Sequence, residues 1–234
     1  MSQEKLHRLS ERLQLNKFKL QTLLEMTKGI NDNLPISQLV AIYRGIVEGE
    51  LGLSKLILFA PSEGSWDVLL QFGEEKVDIS GWSPEVMSSF NDITVLSDTK
   101  EQVIPGYDII IPVHHQKRPL AYLFIGDFED EVSISPIIKH MNFIQTLTNI
   151  LVVAVENKRL MRESLRQERL RRELELAAEM QALLVPSDFP SNGKWEVHAL
   201  YYPHQEVGGD YYDSFELEDG RQVLCIADVS GKGI

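Results

Sequence analysis

Two aspartates near the end of the chain, Asp210 and Asp228, are the side chains best placed to do chemistry. Asp210 follows Gly208-Gly209, and Asp228 stands just ahead of Ser230-Gly231-Lys232-Gly233. Between them, Glu218-Asp219-Gly220-Arg221 has the composition of a tight turn, so Tyr211 to Leu217 and Gln222 to Val229 read as the strands of a hairpin. The two aspartates lie about equally far from that turn, which sets their carboxylates opposite one another at the open end. Converging carboxylates repel unless a cation lies between them, and hard divalent ions such as Mg²⁺ and Mn²⁺ take carboxylate oxygen and water. The paired glycines let the backbone come close to such an ion. From Lys194 to Ile234 there are eight acids and three bases, a surplus that suits a cation site and equally an ordinary acidic surface.

Four blocks in order carry a family resemblance: Leu176-Ala177-Ala178-Glu179-Met180-Gln181 with Leu183-Leu184-Val185-Pro186; Tyr202-Pro203; Val207-Gly208-Gly209-Asp210-Tyr211-Tyr212-Asp213; and Ala227-Asp228-Val229-Ser230-Gly231-Lys232-Gly233. Together they resemble the start of PPM phosphatases of the SpoIIE/RsbU branch. The resemblance implies a β-sandwich core and two Mn²⁺ or Mg²⁺ ions, held by Asp210 and Asp228 with a contact from the Val229 backbone carbonyl. It implies that the ions ionise a bridging water for in-line attack on a phosphoserine or phosphothreonine. The substrate it suggests is a phosphorylated anti-sigma-factor antagonist of STAS type. Asp213 either braces the site or faces solvent. Gly231-Lys232-Gly233 lacks the Walker spacing and its following Ser or Thr, so it is not a phosphate loop. The family adds further aspartates well downstream of this run, so the 234-residue chain is expected to be catalytically silent and to carry strand edges needing cover.

The elements that must position these residues come earlier. Trp195 to Tyr202 reads as another strand, and Ser133 to Pro186 as a helical pattern with no breaker. Its first part, Ile137 to Val155, is apolar on several faces. From Glu156 to Glu175 acids and bases interleave, the mark of a solvated face with pairs four residues apart. We read 156–186 as a signalling linker helix coiled with a copy of itself, with Glu163 and Gln167 weakening its seam.

Upstream, a helix from Ile36 to about Glu48, strands at Leu53 to Ala60 and Trp66 to Phe72, a helix opening at Ser83-Pro84-Glu85 and a brief strand at Ile93 to Leu96 follow in turn. Tyr107 to His115 and Leu120 to Phe128 then form a strand pair around Gln116-Lys117-Arg118-Pro119. This is an α+β pattern, an antiparallel sheet flanked by helices. The order over residues 18–155, with its final pair of strands, resembles a GAF domain. No ligand is identified: Cys225 lies outside this region, His114 and His115 point to opposite faces of one strand, and Trp66, Trp82 and Tyr107 either line a cavity or fill core.

Leu6, Leu9, Leu13, Asn16, Leu20, Leu23, Thr27 and Ile30 recur in steps of three and four, so residues 1–30 read as a coiled-coil helix and the chain as a homodimer. Packing of this helix on its own domain is the alternative, and Phe18 and Leu24 lie off the seam. A catalytic start over 187–234 completes the organisation. With 35 acidic and 23 basic residues, the chain repels phosphate backbones and anionic membranes, so neither nucleic acid nor membrane is expected as a partner. One cysteine in an apolar run and the lack of any membrane-length apolar stretch point to a reducing, cytoplasmic setting.

Overall fold

The computed structural model describes residues 3–62, 65–73, 89–96, 104, 106–115, 118–126, 140–186, 188–189, 196–202 and 207–228. Helix α1 spans Gln3–Asn31 and α2 spans Ile36–Arg44, continuing into a wider π-type turn over Gly45–Glu50. Strands β1 (Lys55–Ser62), β2 (Ser65–Phe72), β3 (Thr94–Val95), β4 (Ile109–His115) and β5 (Arg118–Gly126) form one antiparallel sheet in the order β2-β1-β5-β4-β3. Helix α3 spans Met141–Leu184, and β6 (Asp210–Glu216) pairs with β7 (Gln222–Asp228) in a second sheet. The chain divides into two compact units, Met1–Lys158 and Arg159–Ile234, and α3 contributes to both.

Three prolines sit inside strands of the first unit, and pairing explains how they are tolerated. Proline cannot donate to a ladder, so it belongs where one side of a strand has no neighbour. Pro61 lies past Phe59, where β1 stops pairing with β5; Pro119 lies before Tyr122, where β5 begins pairing with β1. Pro112 lies past Ile110, the last β4 residue opposite β3.

Both faces of this sheet are covered, which is why its strands read as continuous apolar runs instead of alternating ones. Leu56, Leu58, Ile109, Ile111, Leu123 and Ile125 face Tyr43, Ile144, Leu147 and Leu151 of the helices. Ile57, Phe59, Ile110, Tyr122 and Phe124 form a second, aromatic cluster with Phe90, Leu96, Ile104 and Tyr107. Trp66 packs against that cluster, 5.4 Å from the Tyr122 ring, and the Lys55 ammonium lies 4.8 Å from the centre of Tyr107. Trp66 and Tyr107 are therefore packing residues; Trp82 and the helix expected at Ser83 lie outside the described residues. Each fully buried Leu or Ile contributes about 1.5–3 kcal/mol relative to exposure, so this unit has a substantial core.

Helix α1 turns Phe18, Thr22 and Met26 inward at steps of four, and Phe18 meets Phe143 of α3 at 6.2 Å. Of the expected seam, Leu23 and Ile30 pack on the domain's own core, whereas Leu6, Leu9, Leu13, Asn16 and Leu20 are exposed. Helix α3 begins inside the core and continues as a solvated rod, laced by Glu168–Arg172 at 3.1 Å and Arg171–Glu175 at 3.0 Å. Pro186 disfavours helical geometry in the residue before it, and the helix ends two residues earlier.

The second unit corrects one expectation. Residues 196–202 form no strand, and among the described residues the sheet of this unit has two strands, β6 and β7. The physical reason is cover: every buried hydrophobic side chain among the described residues lies between Met26 and Ala154. Without a packed layer, Leu200 and Tyr202 stay exposed, and so does Cys225 in its apolar run. Among the described residues no helix is long and apolar enough to cross a membrane.

Candidate functional site

The geometry of the hairpin begins at its turn. Glu218-Asp219-Gly220 make a three-residue loop closed by Leu217 N–H to the Arg221 carbonyl at 2.8 Å, with Gly220 N–H donating to the Leu217 carbonyl at 2.9 Å. Gly220 adopts φ +80°, the left-handed conformation that the last residue of such a loop needs and that glycine takes without strain. The Asp219 side chain braces the turn, accepting from the Arg221 backbone at 3.1 Å and from its guanidinium.

From this turn the register follows in single steps, Glu216 opposite Gln222 through to Asp210 opposite Asp228. Directly opposed residues point to the same face of a ribbon, with β-carbons about 4.5–5.5 Å apart. Asp210 and Asp228 are thus neighbours at the open end, both exposed, and among the described residues neither takes part in an ion pair. Their face also carries Tyr212, Ser214, Leu224 and Ile226; the Gln222 carboxamide donates to Ser214 Oγ at 2.7 Å along it.

Asp213 falls on the opposite face, opposed to Cys225, so it does not join the pair. Its carboxylate accepts from the Ser214 backbone at 2.7 Å and from the Tyr211 hydroxyl at 3.3 Å. Desolvation, and then the Asp213 charge, raise the Tyr211 phenol above its ordinary range. Val229, the expected carbonyl ligand, lies outside the described residues, as do Ser230 to Gly233.

Two further features were missed by sequence reasoning. Tyr212, beside Asp210 on the same face, is held by Phe189 stacked at 5.8 Å and Tyr201 edge-on at 6.2 Å. This cluster borders an open groove of about 510 Å³, which reaches Asp210 and is otherwise lined by side chains such as Leu224 and Ile226. The second feature is Gln181, whose carboxamide nitrogen donates to the Gly208 carbonyl at 2.6 Å while its oxygen accepts from the Gly208 N–H at 3.1 Å. The only signal was its place in the block before Pro186.

Chemically, the pair offers carboxylate oxygen to a hard cation, and the adjacent Gly208 and Gly209 leave the backbone close by. This donor set fits part of a Mg²⁺ or Mn²⁺ site. Among the described residues no three His, Cys, Asp or Glu side chains converge. In the first unit, His114 lines a recess of about 190 Å³ with Gln145, Thr146 and Asn149, and Gln145 there donates to the Pro112 carbonyl at 3.0 Å.

No family model matches the chain. It is 25% identical over 138 residues to Protein IcfG of Synechocystis, a match covering 56% of this chain and 22% of that protein. The chain therefore spans about a fifth of the length of that relative. Among solved structures it is similar to a GAF domain of a sensor histidine kinase from Pseudomonas syringae pv. tomato, at 12% identity and TM-score 0.44 over 68% of this chain and 99% of that one. A GAF domain from an Acinetobacter phosphoenolpyruvate-protein phosphotransferase follows at 14% and 0.40, over 59% of this chain and 95% of that one. A methyl-accepting chemotaxis protein stands at 6% and 0.38, over 57% of this chain and 99% of the other.

Proposed function

We propose that this chain is the sensor and linker portion of a metal-dependent protein phosphatase of the PPM type, acting on phosphoserine or phosphothreonine of a STAS-type anti-sigma-factor antagonist. In this reading residues 18–155 are a GAF-like sensor, 156–186 a signalling linker, and 187–234 the start of a catalytic β-sandwich. The protein works as a cytoplasmic homodimer. The observation that carries the reading is the direct opposition of Asp210 and Asp228 at the open end of one hairpin. Opposed like charges destabilise a ribbon, and a shared divalent cation converts that cost into a binding site. When bound, Mn²⁺ or Mg²⁺ supplies an ionised water and neutralises charge on the phosphoryl group. The chain's own part is to hold two carboxylates in register and to leave that end open to solvent. Two carboxylates alone bind such ions weakly, so the 234-residue chain is expected to be silent.

The test is phosphate release from a phosphorylated STAS protein in Mn²⁺, on this chain and on a form extended through a full catalytic domain. The extended form should be active and should lose activity in Asp210→Asn. Silence of the extended form would remove the enzyme reading.

A second reading, a GAF-type ligand-sensing and dimerisation module without catalysis, is favoured by one observation. Tyr122 is buried in the aromatic cluster, and its hydroxyl has no hydrogen-bond partner among the described residues. A buried hydroxyl without a partner costs about 1–3 kcal/mol, which a ligand acceptor would recover. Tyr122→Phe should then stabilise the ligand-free protein, seen as a higher urea midpoint.

A further inference from the structure

We infer that Gln181 is a positioning residue that couples the last turn of α3 to Asp210. Its carboxamide makes a closed pair of hydrogen bonds with one peptide unit, donating to the Gly208 carbonyl at 2.6 Å and accepting from the Gly208 N–H at 3.1 Å. In effect the side chain takes the place of a neighbouring strand for the residue that leads into β6. Gly208 stands two residues before Asp210, and β6 begins at Asp210 itself. The backbone there therefore carries its direction straight into the carboxylate pair.

Only a carboxamide of this length fits the task. Glutamate has the same shape but, when ionised, no donor; lysine has no acceptor; methionine has no donor and only a weakly accepting sulfur. The far end of the helix is fixed elsewhere, because Ile144, Leu147 and Leu151 of the same α3 are buried in the core of the first unit. A change in the pitch or rotation of α3 thus reaches Gly208 through two directional bonds, which fail when the side chain turns away. Packing alone would tolerate such a turn, but a two-bond pair does not. Assigning a catalytic consequence to this coupling rests on the phosphatase reading; the coupling itself does not.

The experiment follows the Gly208 and Asp210 amides by NMR in the full chain, comparing wild type, Gln181→Met and Gln181→Glu. In Gln181→Met, protection of the Gly208 amide against hydrogen exchange should fall roughly two- to tenfold, the range expected for one hydrogen bond. Gln181→Glu supplies a readout that a merely structural role would not move. A protonated carboxylic acid restores both a donor and an acceptor, so the Gly208 amide should approach wild type as the pH falls below about 4 and depart from it by about pH 7. An unchanged Gly208 amide in Gln181→Met, or a Gln181→Glu amide that never returns to the wild-type position, would overturn the coupling. If Gln181→Met unfolds the second unit, the Gln181→Glu titration still decides. Broadening of Asp210 and Asp228 signals by Mn²⁺ in wild type tests the phosphatase reading by itself. Its absence would remove the metal and leave the coupling standing. Where Mn²⁺ does broaden the wild-type signals, equal broadening in Gln181→Met would refute transmission to Asp210.

Discussion

At the scale of single residues, the opposition of Asp210 and Asp228 has a cost that can be measured without any metal. Directly opposed like charges weaken an antiparallel pair by about 0.2–1 kcal/mol. Asp228→Asn should therefore slow amide exchange along β6 and β7 in metal-free buffer, and Mn²⁺ should then protect the wild type but not the variant. Faster exchange in the variant would mean that the carboxylates do not repel and so do not share a space. Tyr43 and Thr148 show the same logic in the core. The Thr148 hydroxyl donates to the Ile144 carbonyl at 2.7 Å, which leaves it to accept from the Tyr43 hydroxyl at 2.7 Å. Tyr43→Phe removes a donor and costs about 0.5–1.5 kcal/mol. Thr148→Val strands a buried hydroxyl and costs about 1–3 kcal/mol, so it should be the worse change by urea denaturation. Burial pushes the Tyr43 phenol far above its ordinary value of 10.0, so the folded state keeps a proton that the unfolded state releases. Stability is complete below pH 10 and falls above it by about 1.4 kcal/mol per pH unit from this group. Tyr43→Phe should flatten that alkaline slope.

At the scale of elements, what was legible depended on whether local pattern or distant cover decides. The hairpin register was readable because a loop centred on Asp219 leaves only one way to pair equal arms, and the same parity puts Asp213 on the far face. The sheet strands were readable from their apolar runs, whereas the ends of β4 and β5 were set by where neighbours stop, which no local pattern contains. Residues 196–202 form no strand for that reason: strand-forming residues make a strand only beside a partner backbone. Gln181 was invisible because a polar residue in a charged helix announces nothing about a glycine twenty-seven residues later. Helix α1, whose sequence carries a coiled-coil seam, divides that stripe. Its later part serves the domain's own core, while Leu13 remains 62% exposed and Leu20 68% exposed. A surface row of leucines in the first half suits a second copy of the same helix. Leu13→Lys should lower the mass seen by light scattering at micromolar concentration and make the thermal midpoint independent of protein concentration. A wild type already monomeric there would remove the dimer.

At the scale of the molecule, the two units differ in what holds them. The first has a covered sheet with two apolar layers; the second has none of the buried hydrophobic side chains among the described residues, and Ile226 in its hairpin is 88% exposed. Burial of apolar surface is the dominant favourable term in folding, and local hydrogen bonds such as those of the β6–β7 turn offset chain entropy only in part. A two-stranded ribbon alone is marginal in water. The second unit should therefore contribute little to cooperative unfolding. At ~0.7 kcal/mol per residue, the calorimetric enthalpy near 60 °C should be roughly 110 kcal/mol, as for about 155 residues, instead of the roughly 160 kcal/mol that the whole chain would give. Limited proteolysis under native conditions should cut first beyond the core-anchored part of α3, leaving a resistant fragment that ends within the solvated rod. A single transition with the larger enthalpy would show that the hairpin is packed against something, and the coupling through Gln181 would then act on an element already fixed from another side. The smaller enthalpy leaves α3 as the strongest tether on Asp210, which is the condition under which a movement of that helix governs the carboxylate pair.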